Sequence, residues 1–144
     1  TVFSQFNKFS AGIQPIYKLS LYENSRGYMA GDKLSINYWG AIILSKLISI
    51  SFRQNYIYLN SIKGQDSKLD STIMILNNKN NSGYVILNSA LGLNFTFNKG
   101  ILKNKRISME YILPTYMSYE GLQVGSFNGF SLTLQYTPGG HMGH

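Results

Sequence analysis

The sequence predicts an all-β chain, an antiparallel meander of about six strands, and three observations carry that expectation. Apolar and polar residues alternate with a period of two over several separate runs. Clusters of Asn, Ser, Gly and Lys divide those runs, as turns and loops do. The longest nearly unbroken apolar stretch, Tyr38 to Leu44, is far short of the roughly 18 residues at which a membrane-spanning helix becomes a candidate.

The first alternating run places Phe9, Ala11, Ile13, Pro15, Tyr17, Leu19 and Leu21 on one face and Ser10, Gly12, Gln14, Lys18 and Ser20 on the other. Pro15 cannot donate to a ladder, which assigns this strand to an edge or a bulge. A loop is expected over Tyr22 to Gly31. Leu34, Ile36, Tyr38, Ile42 and Leu44 then oppose Lys33, Ser35, Asn37 and Ser45, although Trp39, Ala41 and Ile43 blur the pattern. A helix over Trp39 to Phe52 competes there. Two strands rank above it because Ser45-Lys46 has the character of a tight turn, after which Ile48, Ile50, Phe52, Tyr56 and Tyr58 oppose Ser49, Ser51, Arg53 and Asn55.

Asn60 to Gly83 is polar and longer than most loops of compact domains, with local structure expected over Leu69 to Leu76. The cleanest alternation follows, in which Val85, Leu87, Leu91, Leu93, Phe95 and Phe97 oppose Asn88, Ala90, Gly92, Asn94, Thr96 and Asn98. A basic turn holding Lys99, Lys103, Lys105 and Arg106 leads to a strand through Ile107, Met109, Tyr111 and Leu113. A loop over Met117 to Ser126 precedes the last strand, Phe130-Leu132-Leu134-Tyr136. Long and short connections alternate, as expected when the two ends of a barrel face different compartments.

The chemistry of the two rows decides what each face meets. Charged residues are only 13% of the chain, against about a quarter in ordinary soluble domains, and aromatics are 14%. The polar rows hold mostly Ser, Asn, Thr, Gln and Gly, where a water-exposed surface would carry more Lys and Glu. The apolar rows are almost free of charge, as hydrocarbon contact requires. Tyr17, Tyr22, Trp39, Tyr56, Tyr58, Phe95, Phe97, Tyr116 and Tyr136 are assigned to strand ends, at the membrane–water interface. The expectation is therefore part of a transmembrane outer-membrane β-barrel over residues 1–136, followed by a flexible Gly/His tail over 137–144. Lys18, Lys33, Arg53, Asn55, Asn94, Glu110 and Gln135 are the lumen-facing candidates, with Arg53 and Glu110 expected to pair.

About six strands are too few to close the smallest common single-chain membrane barrel, and an open edge in hydrocarbon leaves backbone groups unsatisfied. The missing wall is expected from an N-terminal half or from self-association. The start at Thr1, without a signal-peptide pattern, is read as a mature form or, by preference, a fragment.

The stretch Gly100-Ile-Leu-Lys103-Asn-Lys-Arg106-Ile-Ser-Met-Glu110-Tyr-Ile-Leu-Pro114-Thr-Tyr116, with Gly121-Leu-Gln123 downstream, resembles the C-terminal part of the phenol-degradation (MetA-pathway) outer-membrane transporter-like family. A weaker likeness runs upstream through Gly31-Asp32-Lys33-Leu34 and Tyr38-Trp39-Gly40-Ala41. The chain departs from the family pattern by continuing past Tyr136, where members end on an aromatic residue. The resemblance implies the C-terminal half of a barrel in the outer membrane of a Gram-negative bacterium that helps small molecules across. It brings no catalytic residues.

An enzyme is not expected, since both histidines lie in the tail and no nucleophile is spaced beside a base. His141 and His144 make at most a weak metal site, no cofactor is expected, and the absence of cysteine excludes a thiolate centre. A net charge of +7 does not point to nucleic acid, because apart from the turn cluster the basic residues are scattered singly. The expected partners are outer-membrane lipid and a small-molecule solute. The alternatives are a non-conducting structural or surface-interaction barrel, and a soluble barrel whose apolar rows close around a small hydrophobic ligand.

Overall fold

The computed structural model describes residues 1–64, 78–97 and 99–136. Nine strands are described: β1 Val2–Phe6, β2 Phe9–Lys18, β3 Tyr28–Met29, β4 Lys33–Ile43, β5 Ile48–Leu59, β6 Lys63–Gly64, β7 Tyr84–Phe97, β8 Lys105–Tyr119 and β9 Gly129–Tyr136. Seven of them form one antiparallel sheet in the order β1-β2-β4-β5-β7-β8-β9, and β3 pairs with β6 as a separate ribbon. The all-β antiparallel architecture is as expected. The sheet itself is open, with β1 and β9 at its two edges.

Short turns connect the strands at one end of the sheet. Ser45 Oγ accepts from the amides of Leu47 and Ile48 at 3.2 and 3.1 Å, which closes the turn between β4 and β5 and settles the competition with a helix in favour of two strands. Between β7 and β8 the chain reverses with Gly100 and Asn104 in the left-handed region, at φ 72° and 62°, a conformation that Gly and Asn reach at least cost. The other end carries the long connections. There Asp32 accepts from the amide of Ser20, Gln123 Nε2 donates to the Gly83 carbonyl at 2.7 Å, and Ser61 donates to Glu120.

Several boundaries differ from the sequence expectation, and β6 falls inside the loop expected over Asn60 to Gly83. β1 adds a strand, joined to β2 by a hairpin with the pair Phe6↔Phe9 at its neck. It escapes a period-two search because Val2 and Phe3 are both apolar and adjacent. β2 stops at Lys18 rather than Leu21. The loop expected over Tyr22 to Gly31 contains β3. β8 runs on to Tyr119 through residues assigned to a loop, passing Pro114 with a register shift between Leu87 and Asn88 on its partner. That bulge is where a residue without an N–H can sit in a ladder. β2 is not the edge strand, since β1 lies outside it, but the β1 register ends at Val2↔Ile13, so Pro15 falls on the stretch of β2 that has β4 alone as a partner. Local structure over Leu69 to Leu76 lies outside the described residues.

Residues from all seven strands of the large sheet line a single trough, so the sheet curls around one face. Directly opposed residues share a face, and the register puts the small polar rows on the concave side: Gln14↔Asn37↔Asn55↔Asn88 is one such line across four strands. The convex side carries lines such as Ile36↔Tyr56↔Leu87↔Tyr116. This is the reverse of a water-soluble sheet. Among the described residues only Ile86 and Ala90 are buried hydrophobics, while Phe130, Leu132 and Leu134 are each about two-thirds exposed. The positions buried along β7 are instead Ile86, Ala90, Gly92 and Asn94, all on its concave side.

Candidate functional site

The concave face holds a trough of about 750 Å³ toward the short-turn end. Small residues on its floor leave room for their neighbours' side chains: Gly92 stands opposite Ser51 and Glu110, and a Cβ there would collide with the Ser51 hydroxyl. Gly12 stands opposite Trp39, whose ring occupies the space a Cβ would take.

Arg53 and Glu110, expected to pair, do so. Arg53 Nη2 donates to Glu110 Oε2 at 2.7 Å and Nε donates to Oε1 at 3.4 Å, a two-point contact reaching from β5 over β7 to β8. The side chains are 30% and 26% exposed, so the pair is neither screened like a surface bridge nor fully desolvated. A second network lies one step toward the short turns. Asn94, 4% exposed, donates through Nδ2 to Ser51 Oγ at 3.2 Å and to the Ser49 carbonyl at 3.4 Å. This orients its carbonyl oxygen to accept from Arg106 Nη2 at 2.9 Å.

Four of the sequence-predicted residues, Arg53, Asn94, Glu110 and Gln135, line the trough. Asn55 is on the same face, opposite Asn37, and the Oδ1 atoms of both are buried without a hydrogen-bond partner. Lys18 and Lys33 oppose each other in register on that face but lie at the long-loop end, outside the trough. Arg106 and Lys46 line the trough and were not foreseen as concave residues. For Arg106 the signal was present: it opens the alternation Arg106-Ser108-Glu110, which the sequence reading began one residue later, at Ile107. Trp39 is also misplaced by the sequence reading. It lies on the concave side in mid-strand, not at an interfacial strand end.

The convex face carries a polar seam. Gln54 Nε2 donates to Ser89 Oγ at 3.1 Å, Ser89 and Thr115 hydroxyls are 3.1 Å apart, and Thr115 Oγ1 donates to the Leu87 carbonyl at 3.0 Å. The side chains of this seam are thus bonded to one another and to the backbone. Among the described residues no group of three His, Cys, Asp or Glu could hold a metal ion, and no helix is long and apolar enough to cross a membrane, which says nothing of crossing by strands. His141 and His144 lie outside the described residues.

No family model, curated protein or solved structure matches the chain, and the likeness to the phenol-degradation outer-membrane family rests on the sequence alone.

Proposed function

We propose that the chain is wall of an outer-membrane β-barrel of a Gram-negative bacterium, with its convex face in lipid and its trough lining a passive route for small molecules. The observation that carries this reading is the inverted polarity of the sheet, with large apolar side chains exposed and Asn94 buried. A sheet in water hides its apolar side, because about 25 cal/mol is lost for each Å² of apolar surface left exposed. Hydrocarbon removes that cost. The lengths of β2, β4 and β5, at 10, 11 and 12 residues, suit a tilted span, for which about 9 to 11 are needed. The seam at Gln54, Ser89 and Thr115 supports it too, since polar groups facing lipid need internal partners and those facing water do not.

The test is refolding of the full chain into lipid vesicles, into detergent, and in buffer alone. A β-rich species that forms only with lipid or detergent, shows heat-modifiable gel mobility and admits small solutes is the expected result. A folded monomer in plain buffer refutes the membrane reading. The Arg53–Glu110 pair favours a second reading, a barrel filled rather than open, because the contact lies in the trough itself. Stable insertion with no solute passage is the outcome that selects it.

A further inference from the structure

The charges around the trough do not balance. Lys46, Arg53 and Arg106 line it against the single carboxylate of Glu110, and that carboxylate is committed to Arg53 at 2.7 Å. Arg106 has no counter-ion among the described residues. Among the described residues its one partner is the neutral carbonyl of Asn94, and its Nε is buried with no acceptor at all. A guanidinium has five N–H donors and no way to shed its charge at any ordinary pH, so a half-buried one with a single acceptor is held at a cost that an incoming acceptor removes. The Asn94 amide, locked by Ser51 and the Ser49 carbonyl, fixes the Arg106 head where it stands.

The approach to this point is positive as well. The short turns carry Lys8, Lys46, Lys99 and Lys103, and none of the six acidic residues, Glu23, Asp32, Asp66, Asp70, Glu110 and Glu120, lies on them. Cations grouped around a low-dielectric concavity raise the local concentration of anions. The remaining polar lining near Arg106, from Thr96, Ser108, Thr133 and Gln135, offers hydroxyl and amide donors and no second carboxylate.

We propose that the trough is a binding site for small oxyanions, with the Arg106 guanidinium as its anchor and Lys46 at its mouth. The ligand class is a compact carboxylate or phosphate, matched to the planar donor fork of arginine. The proposal names the class of solute for the passage described above, yet it needs only the concave face, so its failure and that of the membrane reading are separable. The first is read by binding to the folded protein and the second by partition between lipid and buffer.

The experiment is calorimetric titration of the full chain, folded in a non-ionic detergent, with inorganic phosphate, acetate and, as the cationic control, tetramethylammonium. Phosphate or acetate binds and tetramethylammonium does not; Arg106→Gln weakens the anion about 10-fold or more, in line with the loss of charge-assisted hydrogen bonds. Retention of the Trp39 emission and the β-sheet dichroism certifies the variant's fold. Should Arg106→Gln not fold, Lys46→Gln, on an exposed turn, tests the same charge by weakening the anion about 2- to 3-fold, with the effect fading as salt is raised. Equal binding of the cation, unchanged affinity in the folded variants, or no binding of either anion to the folded wild-type chain overturns the proposal.

Discussion

Leu91 gives the sharpest test of what the convex face meets. It is the eighth of the 14 residues of β7, stands opposite Phe52 and Tyr111, and is 60% exposed. At about 3.3 Å per residue such a strand is ~46 Å long, and a tilt of about 45° makes its span roughly 33 Å, close to the thickness of a bilayer core. Leu91 then sits within a few Å of the middle. In a bilayer, Leu91→Arg places a guanidinium near the midplane and costs about 2 to 4 kcal/mol. In water, the same substitution at an exposed site changes stability by no more than about 0.5 kcal/mol. Leu122, 64% exposed in the loop between β8 and β9, provides the control, and Leu122→Arg is expected to stay within about 0.5 kcal/mol in either medium. The assay is denaturant unfolding of vesicle-inserted protein followed by the emission of Trp39, the single tryptophan of the chain. A Leu91→Arg protein as stable in vesicles as the Leu122→Arg control would defeat the assignment of this face to lipid.

Two further experiments probe the concave side. With Arg53 and Glu110 each about a quarter to a third exposed, a double-alanine cycle should give a coupling of about 1 to 2 kcal/mol, between the values typical of surface and buried pairs, and molar salt should reduce it. A coupling indistinguishable from zero would show that the contact contributes nothing. Gly12→Ala forces a Cβ into the Trp39 ring and should cost about 1 to 3 kcal/mol with a shift in tryptophan emission, whereas Gly125→Ala, with nothing within 4 Å of its added carbon, should leave both unchanged. An unperturbed spectrum in Gly12→Ala would mean that the ring is not packed on that glycine.

Much of the sheet was legible because one physical variable, polarity, alternates with the pleat. β7 shows this best: its polar row from Asn88 to Asn94 is the concave row of the structure. Legibility failed where alternation and pairing part company. β1 is held by its hairpin to β2 rather than by a face pattern, since Ser4 lies on the apolar side and Phe3 on the polar one. β8 continues past Pro114 because a bulge at Thr115, the residue skipped between Leu87↔Tyr116 and Asn88↔Pro114, lets the ladder resume, and a bulge shows only in the pairing of two strands. At the site, Arg53 and Glu110 were recognisable as charges in polar rows. Arg106 was hidden by its neighbours, because a run of Lys and Arg reads as a solvated turn until the strand is seen to begin at Lys105.

The large sheet has an odd number of strands, and with every neighbour antiparallel its two edge strands, β1 and β9, run in the same direction. Parity then governs how the circle can be completed. Joining β1 to β9, or joining identical copies edge to edge around a common axis, creates a parallel seam. An all-antiparallel ring requires an odd number of additional strands between the two edges. Pairing two copies through like edges restores antiparallel contact only by inverting one of them, which would put basic short turns at both ends of the assembly. Fourteen strands fit all three of these geometries, so it is the direction of the seams, and not the strand count alone, that tells them apart.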